Sequence, residues 1–186
     1  MKKNGFTLIE LVVVIVILGI LAVTAAPRFL NLQVDARNSA LEGLKGAVES
    51  GLEIGYGKMA MDGLESNSYV TNVTNADKGH IAVNISIPGC EISTNKRRIC
   101  IFRFGYPESD FYTITTLVDG INRHYNQDRD WGITKKKDAR ELIITDKSNL
   151  DYDVIPPRLI NDNCYLQYNY PDDEKAGYKL EAVACL

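Results

Sequence analysis

The sequence predicts an α+β fold, with one long amino-terminal helix followed by a set of short strands. Three observations carry this. Between Phe6 and Ala26 only Glu10 is charged; from Arg28 to Met59 apolar residues recur at helical spacing; and the remainder breaks into short apolar runs bounded by Gly, Pro and Asp, with four cysteines among them. The 186 residues suit one domain, by the usual prior of about 100 to 200 residues per domain. A hydrophobic content of 45% is ordinary for a chain with a folded core. The formal net charge of -3 argues against a nucleic-acid surface, which is normally basic, so no nucleic-acid partner is expected.

The first element is the apolar run. Its 21 residues from Phe6 to Ala26, at ~1.5 Å each, make a helix of roughly 31 Å, close to the thickness of a bilayer core. Lys2 and Lys3 precede it, which keeps the amino terminus cytoplasmic and sends the rest of the chain outward. A cleavable secretory signal is the alternative, with small residues at Val23 and Ala25 permitting a cut after Ala25. Against it stand Glu10 inside the apolar core, a core longer than the ~7 to 15 residues of a signal, and helical patterning that continues beyond. Leu30, Val34, Leu41, Leu44, Val48, Leu52 and Met59 fall mostly three or four apart or at multiples of that spacing, with Asp35, Arg37, Glu42, Lys45, Glu49 and Glu53 between them. That is an amphipathic helix. One helix from about Phe6 to Lys58 would be ~80 Å long, half of it projecting from the globular part. Gly19 and Pro27 are its weak points, where bending or local melting is expected.

After Lys58 the stretch "DGLESNSYVTNVTNADKGH" reads as a loop. "IAVNISI" alternates Ile81, Val83, Ile85 and Ile87 as a half-buried strand ended by Pro88 and Gly89, and "ICIFRF" gives a second strand. In "SDFYTITTLVDGIN", Ile114, Leu117, Val118 and Ile121 lie at helical spacing behind the candidate caps Ser109 and Asp110. "ELIIT", "NCYLQYNY" and "YKLEAVAC" read as further strands, the last two joined across "PDDEKAG".

Cys90, Cys100, Cys164 and Cys185 match neither zinc spacing nor a redox motif. Two disulfides in an oxidising compartment are the simplest reading. Of the three possible pairings, Cys90 with Cys100 and Cys164 with Cys185 is preferred, because each pair brackets what reads as a hairpin; the other two stay open. No catalytic site and no cofactor are expected: His80 and His124 are the only histidines, far apart and without an evident nucleophile. "NQDRDWG" from Asn126 to Gly132 resembles the start of a calcium loop, but Trp131 stands where an EF-hand needs glycine and Lys137 where it needs its final Glu. No metal site is expected there. Lys135, Lys136 and Lys137 with Arg140 read as a solvated basic loop.

The leader "MKKNG" followed by "FTLIELVVVIVILGILAVTAAPRF" closely resembles the amino terminus of type IV pilins, and Phe after the short leader resembles the IVa class. "APRFLNLQVDARNSALEGLKGAVESG" resembles the mannose-sensitive haemagglutinin (MSHA) pilins of marine and aquatic Gram-negative bacteria. The resemblance covers roughly the first third of the chain. It implies the type IV pilin fold, a long helix packed on an antiparallel sheet with a disulfide-bounded, filament-exposed carboxy-terminal region. It implies a leader at 1–5, a helix at 6–58 of which 6–26 spans the membrane or forms the filament core, and a globular head at 59–186. It also implies that a prepilin peptidase cuts between Gly5 and Phe6, and that the new Phe6 amine is methylated. Glu10 then has a reason: it supplies the counter-charge for the Phe6 amine of an adjacent subunit, with Thr7 available for a further hydrogen bond. The bland alternative leaves Glu10 near the headgroups, only four positions from Phe6. The N-x-[ST] matches at Asn72 and Asn84 carry little weight in a chain that resembles a bacterial one.

The expected partners follow from the same resemblance: further copies in a helical homo-oligomer, prepilin peptidase, the inner-membrane assembly machinery, the membrane before assembly, and a host or abiotic surface, with carbohydrate as one target. The function implied is a major structural subunit of a surface filament serving attachment and biofilm formation. Its rivals are a type II secretion pseudopilin, a minor pilin, and a soluble binding protein released after Ala25.

Overall fold

The computed structural model describes residues 7–74, 80–94, 98–122, 128–136 and 140–186, with the backbone alone at 26–31. Helix α1, Leu8–Met61, is 54 residues long and unbroken. It runs through Gly19 and Pro27 without the melting expected there. Proline removes one donor and crowds one turn, while the long helical runs on both sides keep their own hydrogen bonds. The helix ends where the Gly63 amide donates to Ala60 O and the Leu64 amide to Met59 O, with Gly63 at φ +68°. This is a Schellman cap, whose left-handed position suits a residue without a side chain.

A first sheet comprises β1 (Val70–Thr71), β2 (Ile81–Ala82), β3 (Ile101–Arg103) and β4 (Tyr106–Pro107), in the order β2-β1-β3-β4. The stretch expected to be a loop therefore contains β1, and the strand expected over Ile81 to Ile87 pairs only at Ile81 and Ala82. Its alternation survives without a ladder, since Ile85 and Ile87 are buried. The backbone groups there close a turn instead, Ile87 N donating to Ile85 O and Cys90 N to Ile87 O. Helix α2, Phe111–Leu117, is capped by Asp110, whose Oδ1 accepts from the amides of Tyr112 and Thr113. Ser109, the other candidate cap, donates to Arg140 O instead. Val118 and Ile121 lie past the helix end yet remain buried.

The second sheet comprises β5 (Trp131–Lys135), β6 (Leu142–Asp146), β9 (Tyr165–Asn169) and β10 (Lys179–Val183), all antiparallel in the order β10-β9-β6-β5. Between β6 and β9 run β7 (Leu150–Asp151) and β8 (Arg158–Leu159), which pair with each other. β5 is a correction: Trp131 and Gly132 begin a strand, and Lys135 ends it, where the sequence suggested a calcium-loop fragment and a solvated loop. Its residues show no alternation because both faces are covered. Ile133, Ile144 and Leu166 form one cross-strand row toward α1. On the other face Thr134 donates to Pro157 O, and a Cβ on Gly132 would lie 2.5 Å from Leu150.

The core joins these parts. Leu41, Leu44, Val48 and Leu52 of α1 pack against Ile114, Val118, Ile133, Leu142, Ile144, Leu166 and Tyr168. Met59 packs in a second cluster with Val70, Ile85, Ile87, Cys90, Cys100 and Phe102. Among the described residues, only the carboxy-terminal half of the helix takes part.

Candidate assembly site

At the start of α1 a polar clasp stands at the head of an apolar rod. Thr7 is extended and caps the helix, its Oγ1 accepting from the Glu10 amide while the Glu10 carboxylate accepts from the Thr7 amide at 2.8 Å and the Thr7 hydroxyl at 2.7 Å. This reciprocal arrangement is a capping box, with threonine at the cap and glutamate three residues on. The same spacing leaves the carboxylate at the amino-terminal face of the helix, where backbone amides lack intrahelical partners and negative charge is favoured. Both residues are exposed in the isolated chain, so the clasp has room to exchange partners.

From Leu8 to Ala25 the helix is long and apolar enough to cross a membrane, and none of that segment is buried within the chain. Leu8 is 80% exposed and Ile20 64%, whereas Val48 and Leu52 are 0% exposed. A soluble monomer cannot leave such a rod in water, because each fully buried aliphatic side chain is worth ~1.5–3 kcal/mol and an apolar area of this size marks a membrane or assembly surface. Gly19 has nothing within 4 Å of a hypothetical Cβ, so the rod is free of intrachain contacts there too.

Residues 1–26 match the prokaryotic N-terminal methylation motif. The amino terminus carries a prepilin-type signature. Over 54 residues the chain is 46% identical to the type IV narrow pilus major component PilA5 of Thermus thermophilus, a stretch covering 29% of this chain and 47% of that protein. The chain thus spans about half the length of the curated relative it matches. No solved structure matches the chain. The long helix, the antiparallel sheet and two disulfides agree with the type IV pilin fold.

Of the residues singled out in the pilin signature, Thr7 and Glu10 are brought together. Gly5 and Phe6, the cleavage and methylation positions, lie outside the described residues. The side chain of Pro27 does as well. Cys90 is bonded to Cys100 and Cys164 to Cys185. The second bond sits beside the helix, where Asn38 Oδ1 accepts from the Cys185 amide at 2.8 Å, so the carboxy terminus is tied to α1 by more than its own strand. His80 stacks on Tyr69 with ring centroids 3.7 Å apart, and His124 lies outside the described residues. Among the described residues no group of three His, Cys, Asp or Glu side chains is placed to hold a metal ion. Of the basic run, Lys135 lies over the Phe111 ring, Lys136 reaches Tyr165 and Asp162, and Arg140 pairs with Asp172; Lys137 lies outside the described residues.

Sequence reasoning missed the polar hubs. Asn72 is 1% exposed; its amide donates to Glu91 O and Arg98 O and its oxygen accepts from the Cys100 amide. Asn149 ties Thr145, Asn161 and Asn163 together under the β7–β8 segment. Asn72 was visible only as an acceptor motif, and burial makes it a structural pin. Asn84 is exposed, and its oxygen accepts from the Ile92 amide.

Proposed function

We propose that the chain is the major structural subunit of a type IVa pilus of the MSHA kind, without catalytic activity. It is made as a precursor held in the inner membrane of a Gram-negative bacterium by the apolar half of α1. Prepilin peptidase cuts between Gly5 and Phe6, the Phe6 amine is methylated, and the assembly machinery adds subunits to an extracellular helical filament that serves attachment and biofilm formation. The observation that carries this reading is the exposed apolar rod headed by an exposed carboxylate, on a helix whose other half is packed into a folded head.

The physical logic is differential burial. In the membrane the rod is solvated by lipid; in the filament it is covered by the rods of other copies. A contact between different surfaces that does not close on itself generates an open helix. Burying the Phe6 ammonium then demands a partner, since an unpaired buried charge is strongly disfavoured, and Glu10 releases the Thr7 amide and hydroxyl to meet it. Gly19 and Pro27 let the rod bend as it packs. The Cys164–Cys185 bond, bracketing the β9–β10 hairpin, favours a pilus subunit over a pseudopilin, which more often carries a calcium loop in that region.

The test is intact mass and amino-terminal sequencing of protein sheared from cells. A chain starting at Phe6 with one added methyl group, recovered in the sheared fraction, is the expected outcome. A chain starting at Ala26 would mean an ordinary signal peptide and would remove both the filament and the role given to Glu10.

A further inference from the structure

A pocket of about 160 Å3 opens where three stretches of chain meet: α1 at Arg37, the paired ends of β5 and β6 at Trp131 and Asp146, and the approach to β9 at Asn163. It is too small for a drug-sized molecule, which takes about 300–1,000 Å3, and has room for a single ring. Its walls are fixed from behind. Asn149, 7% exposed, reaches the carbonyls of Asn161 and Asn163 with its amide nitrogen and accepts from the Asn161 amide with its oxygen. The Cys164–Cys185 bond, and the Asn38 oxygen that accepts from the Cys185 amide, hold the same stretch against α1 one residue from Arg37. A site whose walls are already held loses little further freedom when a ligand enters.

The polar groups around this space are of both signs and stay apart. Arg37 and Asp146 line the same small pocket, yet no ion pair joins them, and among the described residues Arg37 is in no ion pair. Asp146 Oδ1 is taken by the Ser148 amide and hydroxyl, which leaves Oδ2 as an open acceptor. The Asn163 side chain and the Trp131 indole N–H bond to no described residue. Arg37 and Asp146 are exposed, Trp131 and Asn163 half-buried, so all of them are within reach of a ligand from solvent. A cation would meet Arg37 and an anion Asp146. A neutral ligand that donates and accepts at adjacent atoms answers both, and neighbouring hydroxyls do this, each being donor and acceptor. An indole adds a negative ring face for polarised C–H bonds and an N–H donor for an oxygen. Adjacent hydroxyls and a C–H face on one ring describe a pyranose sugar.

We infer that this pocket binds one neutral pyranose ring, its adjacent hydroxyls bridging the Arg37 guanidinium and the Asp146 carboxylate and its carbon face set against Trp131. The Asn163 amide supplies one further donor and acceptor. The inference rests on the pocket, independently of the filament reading.

Trp131 is the only tryptophan in the chain, so its fluorescence reads the pocket without a label. The full chain, held in a detergent without a sugar headgroup, is titrated with the methyl glycosides of glucose and of its C2 and C4 epimers. Sorbitol and alanine are the controls: the first has the hydroxyls without the ring, and the second is a zwitterion that matches the two charges. A saturable change with at least one pyranoside is expected, at a concentration about ten-fold or more below any response to either control. Arg37→Ala assigns the signal, because Trp131 also borders a second cleft that Arg37 does not line. This side chain is exposed and in no ion pair among the described residues, so the thermal midpoint should be kept while affinity falls by about ten-fold. No saturable change with any pyranoside, an equal or stronger response to sorbitol or alanine, or unchanged affinity in Arg37→Ala would overturn the inference.

Discussion

Glu10 gains its meaning from what it can let go. Among the described residues its carboxylate is engaged by Thr7 alone, and losing a capping interaction costs ~0.5–2 kcal/mol, too little to unfold a 54-residue helix. Glu10→Ala should therefore leave the head folded and the precursor in the membrane while surface filament falls by about ten-fold or more, a buried partner charge being left uncompensated; immunoblots of sheared and membrane fractions measure both. Asn72 acts the other way, on the head alone. Asn72→Ala orphans the Cys100 amide and two carbonyls, each costing ~1–3 kcal/mol when buried, so urea unfolding should show a loss of about 3 kcal/mol or more. Asp110 contributes a pH dependence: burial pushes its carboxyl from 3.8 up to about 6, against the opposing hydrogen bonds from Thr113 and Tyr112. Because the folded state holds this proton more tightly than the unfolded state, its contribution is full below pH 3.8 and is lost as pH rises through about 6. Asp110→Asn keeps an oxygen to cap α2, and should be the more stable chain at pH 7 by on the order of 2 kcal/mol, with the difference shrinking toward pH 4.

At the scale of elements, α1 is two objects in one covalent rod. Its buried positions Leu41, Leu44, Val48, Leu52 and Met59 were legible because one face of the helix meets a sheet and the rest meets water. The same geometry sorts its glycines. A Cβ at Gly51 would lie 2.6 Å from Val118 Cγ2 and 3.1 Å from Leu117 O, whereas at Gly43 and Gly46 nothing lies within 4 Å. Gly51→Ala should destabilise by ~1–3 kcal/mol through overpacking, and Gly43→Ala should stabilise by up to ~1 kcal/mol through helix propensity; thermal unfolding in detergent gives both signs. β5 was not legible. Alternation reports a strand with one wet face, and β5 has Ile133 turned to α1 and Thr134 turned to Pro157, so its pattern resembles a polar connection.

The whole molecule depends on ties between distant parts of the chain. The Cys164–Cys185 bond closes the β9–β10 hairpin, and Asn38, 147 positions away, accepts from the Cys185 amide. Replacing both cysteines by serine should cost about 3 kcal/mol on a chain-entropy argument and open β10 to limited proteolysis before the rest of the head, a sequence of cleavage that mass spectrometry follows. The exposed rod sets the other whole-molecule property: its apolar side chains find no cover within the chain, and an apolar surface of that extent marks a membrane or assembly contact.

What the residues determined unaided is whatever is local or periodic: the long helix, its apolar and amphipathic halves, the hairpin of β9 and β10, and the prepilin-type signature at the amino terminus. Such features need only neighbours within a few positions. The tertiary structure alone decided how the other strands pair, that β1 and β5 exist, that a capping box forms at Thr7 and Glu10, and that Asn72 and Asn149 are buried hubs. Apart from the cap, those outcomes depend on partners further along the chain, and a side chain's environment, unlike its spacing, is set by what the rest of the chain brings against it.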